Sequence, residues 1–215
     1  MKETNMESFK TILKNANSEI EEKKSRFIAN VFYIESVKEA EQKIRDIKKK
    51  YFDARHNCYA YRIIEKDGIK EKQSDDGEPN GTAGAPMLNI LSKNSLLNIL
   101  VVVTRYFGGT LLGTGGLIRA YSDSTLKAIQ EAKIVTQELG YELEITIEYK
   151  ELEKFRYYCN KNHIKITNTI YEKNIICTIE INNEEKQKLI DENQKDVKIL
   201  EYTGLREKYI RRNIQ

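Results

Sequence analysis

Leu96-Leu97-Asn98-Ile99-Leu100-Val101-Val102-Val103-Thr104-Arg105-Tyr106, followed by Phe107-Gly108-Gly109-Thr110-Leu111-Leu112-Gly113-Thr114-Gly115-Gly116-Leu117, joins an apolar run to a glycine-rich connection. The run within Leu96–Tyr106 is that of a central strand covered on both faces. Beyond the glycines, Ile118, Tyr121, Thr125, Ala128 and Ala132 recur at helical spacing. They predict a long helix from Thr114 to about Ala132, with Thr114 as N-cap and Gly115 and Gly116 in its first turn. Upstream, Phe27–Tyr33 reads as a strand. Ser36 and Glu39 form a capping box before Val37, Ala40, Ile44, Ile47 and Tyr51, which step as one face of a helix. Asn57–Ile64 and Ile69–Gln73 read as two strands joined by Asp67-Gly68, a hairpin signal. Residues 1–136 are therefore expected to form an α+β domain, one sheet with helices packed on it.

Composition changes near residue 137. Nine of the 11 glycines lie between Gly68 and Gly116, and both prolines, Pro79 and Pro86, lie in the same stretch. Residues 1–136 carry a net charge of +4 and residues 137–215 a net charge of −1. A second domain, 137–215, is expected. Its strands alternate (Leu143, Ile145, Ile147; Ile164, Ile166, Ile170; Ile175, Cys177, Ile179, Ile181), with a helix through Leu152, Phe155 and Cys159 after the first. Asn183 is placed to cap a short helix carrying Leu189 and Ile190, and Val197 and Ile199 begin the last strand. The order is β-α-β-β-α-β, the ferredoxin-like pattern.

Several classes are excluded. Mean hydropathy is −0.62, and the longest aliphatic run, Ile99–Val103, is far below the ~18 residues of a membrane span. Cys58, Cys159 and Cys177 form neither a CxxC pair nor a disulfide framework. Met1–Asn5 leads into no apolar signal core. A cytoplasmic protein with reduced thiols is expected.

Three constellations can carry chemistry. In the glycine-rich connection, Gly108 and Gly113 have P-loop spacing, but Thr114-Gly115 stands where Lys-Ser/Thr is needed. Gly113-x-Gly115 begins a dinucleotide fingerprint, but Ile118 replaces its third glycine. An ATPase and a Rossmann enzyme are thereby disfavoured. Two readings stay open: glycines that permit tight turns and close helix–sheet packing, or glycines that open the helix start to an anion. Between Glu78 and Asp123 there is no carboxylate, and the formal charges are Lys93, Arg105 and Arg119. That favours phosphate, unless the stretch is mostly buried. In the loop Ser74–Pro86, Asp75, Asp76 and Glu78 suit either a cation and acid–base work or turn formation. In His56-Asn57-Cys58, His56, Cys58, Ala60 and Arg62 share a strand face; a half-buried structural Cys beside a polar His is preferred over a nucleophile and base.

The segments Ser74-Asp75-Asp76-Gly77-Glu78-Pro79-x-Gly81-Thr82-Ala83-Gly84-x-Pro86-Met87-Leu88 and Val102-Val103-Thr104-Arg105-Tyr106-Phe107-Gly108-Gly109-x-x-Leu112-Gly113-x-Gly115-Gly116-Leu117-x-Arg119-Ala120-Tyr121 resemble the signature of the Impact / YigZ family. Lys24–Ala29 and Ala54–Ala60 match its pattern as well. The resemblance implies a first domain with the fold of the second domain of ribosomal protein S5, also that of domain IV of elongation factor G, and a second domain like domain V of that factor. Eukaryotic members carry a preceding RWD domain and regulate translation under amino-acid starvation. No such domain precedes residue 23 here, so that partner contact is not expected.

Together these readings lead to a non-enzymatic RNA- or ribosome-binding protein linked to translation regulation. Its anion site is expected at Arg105, Tyr106, Gly108, Gly109, Gly113, Thr114, Gly115, Gly116 and Arg119, with Tyr106 or Phe107 stacking on a base. No catalytic residue, cofactor or metal is assigned, and the oligomeric state is left open. The alternatives are a hydrolase or transferase acting on a small phosphorylated ligand through Asp75, Asp76 and Glu78, and a protein-interaction module.

Overall fold

The computed structural model describes residues 6–192 and 197–212. Met1–Asn5, on which the reading of a missing leader rests, lie outside them, as do the last three residues of the tail. The chain is a mixed α/β protein with antiparallel sheets, divided into two compact units, one of Phe9–Thr136 and one of Gln137–Arg212 with Met6–Ser8.

In order, β1 (Ser8–Ile12), β2 (Ala16–Glu22), β3 (Ser25–Tyr33), α1 (Val37–Lys50), β4 (His56–Glu65), β5 (Gly68–Ser74), α2 (Gly84–Lys93), β6 (Ile99–Tyr106) and α3 (Gly113–Ala132) lead to β7 (Ile134–Ile147). The first unit's sheet is antiparallel, in the order β2-β3-β6-β4-β5. Seven of the eight residues of β6 are buried. Alternate side chains of a strand face opposite sides. Val101 and Val103 therefore join Phe27, Ala60, Leu91 and Tyr121 in one core, while Leu100 and Val102 join Ala40, Ile44 and Ile63 in another. The helices α2 and α3 cover the first face and α1 the second. Ser36 caps α1, its Oγ accepting the Glu39 N–H.

The strands β1 and β2 and the helix α2 were not expected. The central strand takes Ile99–Tyr106 of the stretch Leu96–Tyr106, and Leu96 closes the end of α2: Ser95 and Leu96 donate their N–H groups to Ser92 and Leu91 carbonyls, both at 2.9 Å. This is a Schellman closure, with Leu91 and Leu96 both buried. The long helix begins at Gly113 with Leu112 as its cap residue and no side-chain cap, so Thr114 is inside the helix and does not cap it.

In the second unit β7 is followed by a short 3-10 turn (Tyr149–Glu151), α4 (Leu152–Lys161), β8 (Lys165–Tyr171), β9 (Ile175–Ile181), α5 (Asn183–Glu192) and β10 (Ile199–Arg212). The sheet has five strands in the order β1-β7-β9-β8, with β10 also paired to β7, over a core that includes Ile145, Phe155, Cys177 and Ile179. Asn182, one residue before the expected Asn183, caps α5. Its Oδ1 accepts the Glu185 N–H at 2.8 Å, and the Glu185 carboxylate accepts the Asn182 N–H at 3.0 Å. Among the described residues no helix is long and apolar enough to cross a membrane.

Ser95 closes α2 at φ +55°, a conformation that suits glycine. Ser95→Gly is expected to raise stability by about 0.5–1 kcal/mol, measured by urea denaturation at unchanged m-value.

Candidate functional site

The three carboxylates of the acidic loop go to three separate structural tasks. Asp75 serves the start of α2, whose own cap residue, Ala83, offers no side chain. Its Oδ1 accepts the N–H groups of Ala83 (3.0 Å) and Gly84 (2.9 Å), and its Oδ2 that of Gly81 (2.9 Å). Burial alone would push this carboxyl's pKa up, but the three amides hold it below its ordinary value. The cap is thus complete at neutral pH and is lost only as acid reaches that lowered pKa. Asp76 accepts the Asn57 N–H through Oδ2 (2.7 Å) and pairs with Lys48. Glu78, 8% exposed, accepts both Arg105 Nη1 at 2.7 Å and the Tyr121 hydroxyl at 2.9 Å on Oε1.

Around Glu78 runs a buried polar chain. Arg105, 6% exposed, also reaches the Ser25 hydroxyl at 3.4 Å and lies against the Phe27 and Phe107 rings. Tyr121 meets Phe27 edge to face. The Cys58 thiol has the Asp75 carbonyl at 2.9 Å and the Tyr121 hydroxyl oxygen at 3.3 Å. Cys58 is fully buried rather than half-buried. Burial first, then the charges of Glu78, Asp76 and Asp75, push its pKa up to about 12 against the Tyr121 hydrogen bond. That excludes it as a nucleophile near neutral pH.

The glycine-rich connection does two different things. Gly108 donates its N–H to Ser25 Oγ at 3.1 Å, and a Cβ there would fall 2.0 Å from the Lys24 carbonyl carbon, so only glycine fits. Gly113, Thr114 and Gly115 instead are exposed and open α3 with no acidic residue and no capping side chain. Their N–H groups are among those a helix start leaves unbonded.

Beside that helix start is a half-open cleft of about 420 Å³, lined by Arg55, His56, Gly77, Glu78, Pro79, Arg105, Phe107, Leu117 and the segment from Leu111 to Thr114. Register explains the gathering: His56 lies opposite Arg105 in the β4–β6 pair, and Arg105 opposite Phe27 in the β3–β6 pair. His56 Nδ1 is 2.9 Å from the Asp76 carbonyl. A carbonyl cannot donate, so Nδ1 carries the proton.

The expected site residues are thus divided. Gly113 and Thr114 reach the cleft, and Gly115 is next to them. Arg105 is in its wall, but its guanidinium is tied to Glu78, which corrects the expectation of a free phosphate-binding arginine. Gly116 and Arg119 line a separate groove with Lys23, Glu22 and Asp123, where charges of both signs meet. Tyr106 is held by Asp53, to which its hydroxyl donates at 2.7 Å, whereas Phe107 is 51% exposed. Gly109, at φ +86°, serves the turn. Asp75 and Asp76 do not line the cleft, so the acidic loop does not assemble the carboxylate centre that the hydrolase alternative requires. Arg55, exposed and unpaired by any carboxylate among the described residues, was missed. Its signal in the sequence was its place in Ala54–Ala60, one of the segments that match the family pattern.

Residues 23–129 match the family described as the Impact N-terminal domain. The chain is similar to the IMPACT family member YvyE of Bacillus subtilis (strain 168), 39% identical over 170 residues, which are 79% of this chain and 78% of that protein. It is 36% identical to the IMPACT family member YigZ of Escherichia coli (strain K12) over 151 residues, 70% of this chain and 74% of that one. A crystal structure described as that of a hypothetical protein shares the fold with a TM-score of 0.59 and 32% identity, covering 91% of this chain and 97% of its own.

Two outcomes follow from the buried chain. Glu78→Ala leaves Arg105 buried without its counter-charge and is expected to cost about 3–5 kcal/mol, read by chemical denaturation, whereas Glu78→Ala combined with Arg105→Met recovers part of that loss. At pH 8 the folded protein's Cys58 is expected to alkylate roughly a thousandfold more slowly than an exposed thiol, as read by mass spectrometry after iodoacetamide treatment.

Proposed function

The chain belongs to the IMPACT family, and from that premise we propose that it binds RNA, free or within the ribosome, in a role linked to translation regulation, receiving phosphate at the start of α3. The observation that carries this reading is the uncapped, exposed turn Gly113–Gly115, whose first two residues line a cleft together with the cation Arg55. A helix start of this kind presents unbonded N–H groups and the positive end of the helix dipole to an anion. Phe107 adds an exposed ring at the same rim, suited to a base.

The two-unit organisation supports the same reading. We read the first unit as ribosomal protein S5 domain 2-like and the second, from its element order and sheet order, as ferredoxin-like. Together they resemble two consecutive domains of a translocating translation factor. A cytoplasmic setting belongs with this role. The net charge of +3 sets affinity at weak to moderate and falling with salt. An enzymatic reading has less support, because Asp75, Asp76 and Glu78 each hold the fold in place.

The test is filter binding of structured and single-stranded RNA at about 50 mM salt, with Gly115→Asp beside the parent protein. A Cβ at Gly115 meets nothing within 4 Å. An aspartate in a first helical turn favours the helix while repelling phosphate. The expected result is an unchanged or raised melting temperature and an RNA affinity lowered at least tenfold. Absence of RNA binding, or parent-like binding by the variant, overturns the reading.

A further inference from the structure

The cleft beside α3 is half-open, and its volume limits what it can enclose. A single nucleotide is of the right size: about 420 Å³ lies within the ~300–1,000 Å³ range of small-ligand pockets.

The polar atoms at the cleft are divided in a way that suits such a ligand. The amides of Gly113 and Thr114 and the cation Arg55 line the same cleft and together suit a phosphate. In the wall are two side chains more than nine-tenths buried, each with a polar atom lacking a hydrogen bond. Arg105 Nε has none. Glu78 uses only Oε1 for Arg105 and Tyr121, leaving Oε2 as a spare acceptor. Buried polar groups are normally satisfied. A spare carboxylate oxygen in a cleft wall calls for a ligand hydroxyl or N–H, not for a second phosphate. Phe107, Leu111 and Pro79 supply apolar contact on the same cleft. The Phe107 ring is exposed, with the Arg105 guanidinium 5.6 Å from its centre holding it from behind.

We propose that this cleft binds a nucleoside monophosphate, either free or as the terminal nucleotide of an RNA strand. The phosphate monoester sits on the start of α3 with Arg55 as its counter-charge, the base lies on Phe107, and a ribose hydroxyl or base N–H donates to Glu78. The proposal rests on the reading above that the start of α3 receives phosphate, and it adds which phosphate and what is attached to it.

Calorimetric titration of the full chain with adenosine 5′-monophosphate, inorganic phosphate and adenosine tests it, together with binding of a short 5′-phosphorylated RNA and the same RNA ligated into a circle. The nucleotide is expected to bind at least tenfold more tightly than phosphate or adenosine, and the linear RNA at least tenfold more tightly than the circle. Phe107→Ala, at a half-exposed position, lowers nucleotide affinity about tenfold while leaving phosphate binding and the melting temperature unchanged. Arg55→Ala, at an exposed position, weakens nucleotide and phosphate alike. Equal affinities for nucleotide and phosphate, or parent-like nucleotide binding by Phe107→Ala, overturn the proposal. Equal binding of linear and circular RNA without nucleotide binding also overturns it but leaves the RNA reading standing. Nucleotide binding without any RNA binding upholds it for the free ligand and removes the RNA reading.

Discussion

The Arg105–Glu78 ion pair is the interaction around which the first unit is organised. It lies almost wholly out of water, where separating either charge from the other is costly. Arg105 comes from the centre of the sheet, Glu78 from the acidic loop, Tyr121 from the long helix and Ser25 from the second hairpin strand. One pair of charges therefore fixes four chain segments that are far apart in sequence. The loop can cross the end of the sheet without a core of its own because its three carboxylates anchor it at three places. Asp75 holds the start of α2, Asp76 the start of β4, and Glu78 the interior.

That arrangement changes what the carboxylate-free stretch between Glu78 and Asp123 means. Counted along the chain, it leaves Arg105 as an unopposed positive charge. In the fold its counter-charge is Glu78, the residue at which the stretch begins. The positive character at the cleft comes instead from Arg55 and from main-chain N–H groups. Neither appears in a charge count of the stretch, since Arg55 belongs to another segment and amides carry no formal charge.

The legible parts of the fold were those governed by local period. The run Ile99–Val103, the face Ala40, Ile44 and Ile47, and the alternation in the second unit each mark their element through spacing. The capping box at Ser36 and Glu39 was readable for the same reason. What escaped depends on tertiary contact. The β2–β3 hairpin turns through Lys23 and Lys24, at φ +46° and +65°, where a primed turn would ordinarily show Asn-Gly. The helix α2 has its cap nine residues away in Asp75, so no local signature announces it. Its end at Ser95 lacks the usual glycine, so its closure is not announced either. At the candidate site the glycines were readable as special, but their division of labour was not. Only the packing of Gly108 on Lys24 separates a steric glycine from the exposed ones.

That division bears on why the start of α3 is built as it is. Glycine in the first turn costs stability relative to alanine by roughly 1 kcal/mol per residue, and an absent cap by about 1 kcal/mol more. Steric need explains Gly108, where a side chain has no room. It does not explain Gly115, where a Cβ has open space, nor the lack of a capping side chain at Leu112. Three other helices have side-chain caps, from Ser36, Asp75 and Asn182, while α4, which follows directly on a 3-10 turn, has none. What sets the start of α3 apart from that of α4 is its surroundings, an exposed glycine turn beside an arginine with no carboxylate partner among the described residues and a buried guanidinium whose Nε lacks a hydrogen bond. In the proposed complex an anionic ligand supplies the missing cap, and its attached donor and ring meet the rest of the cleft.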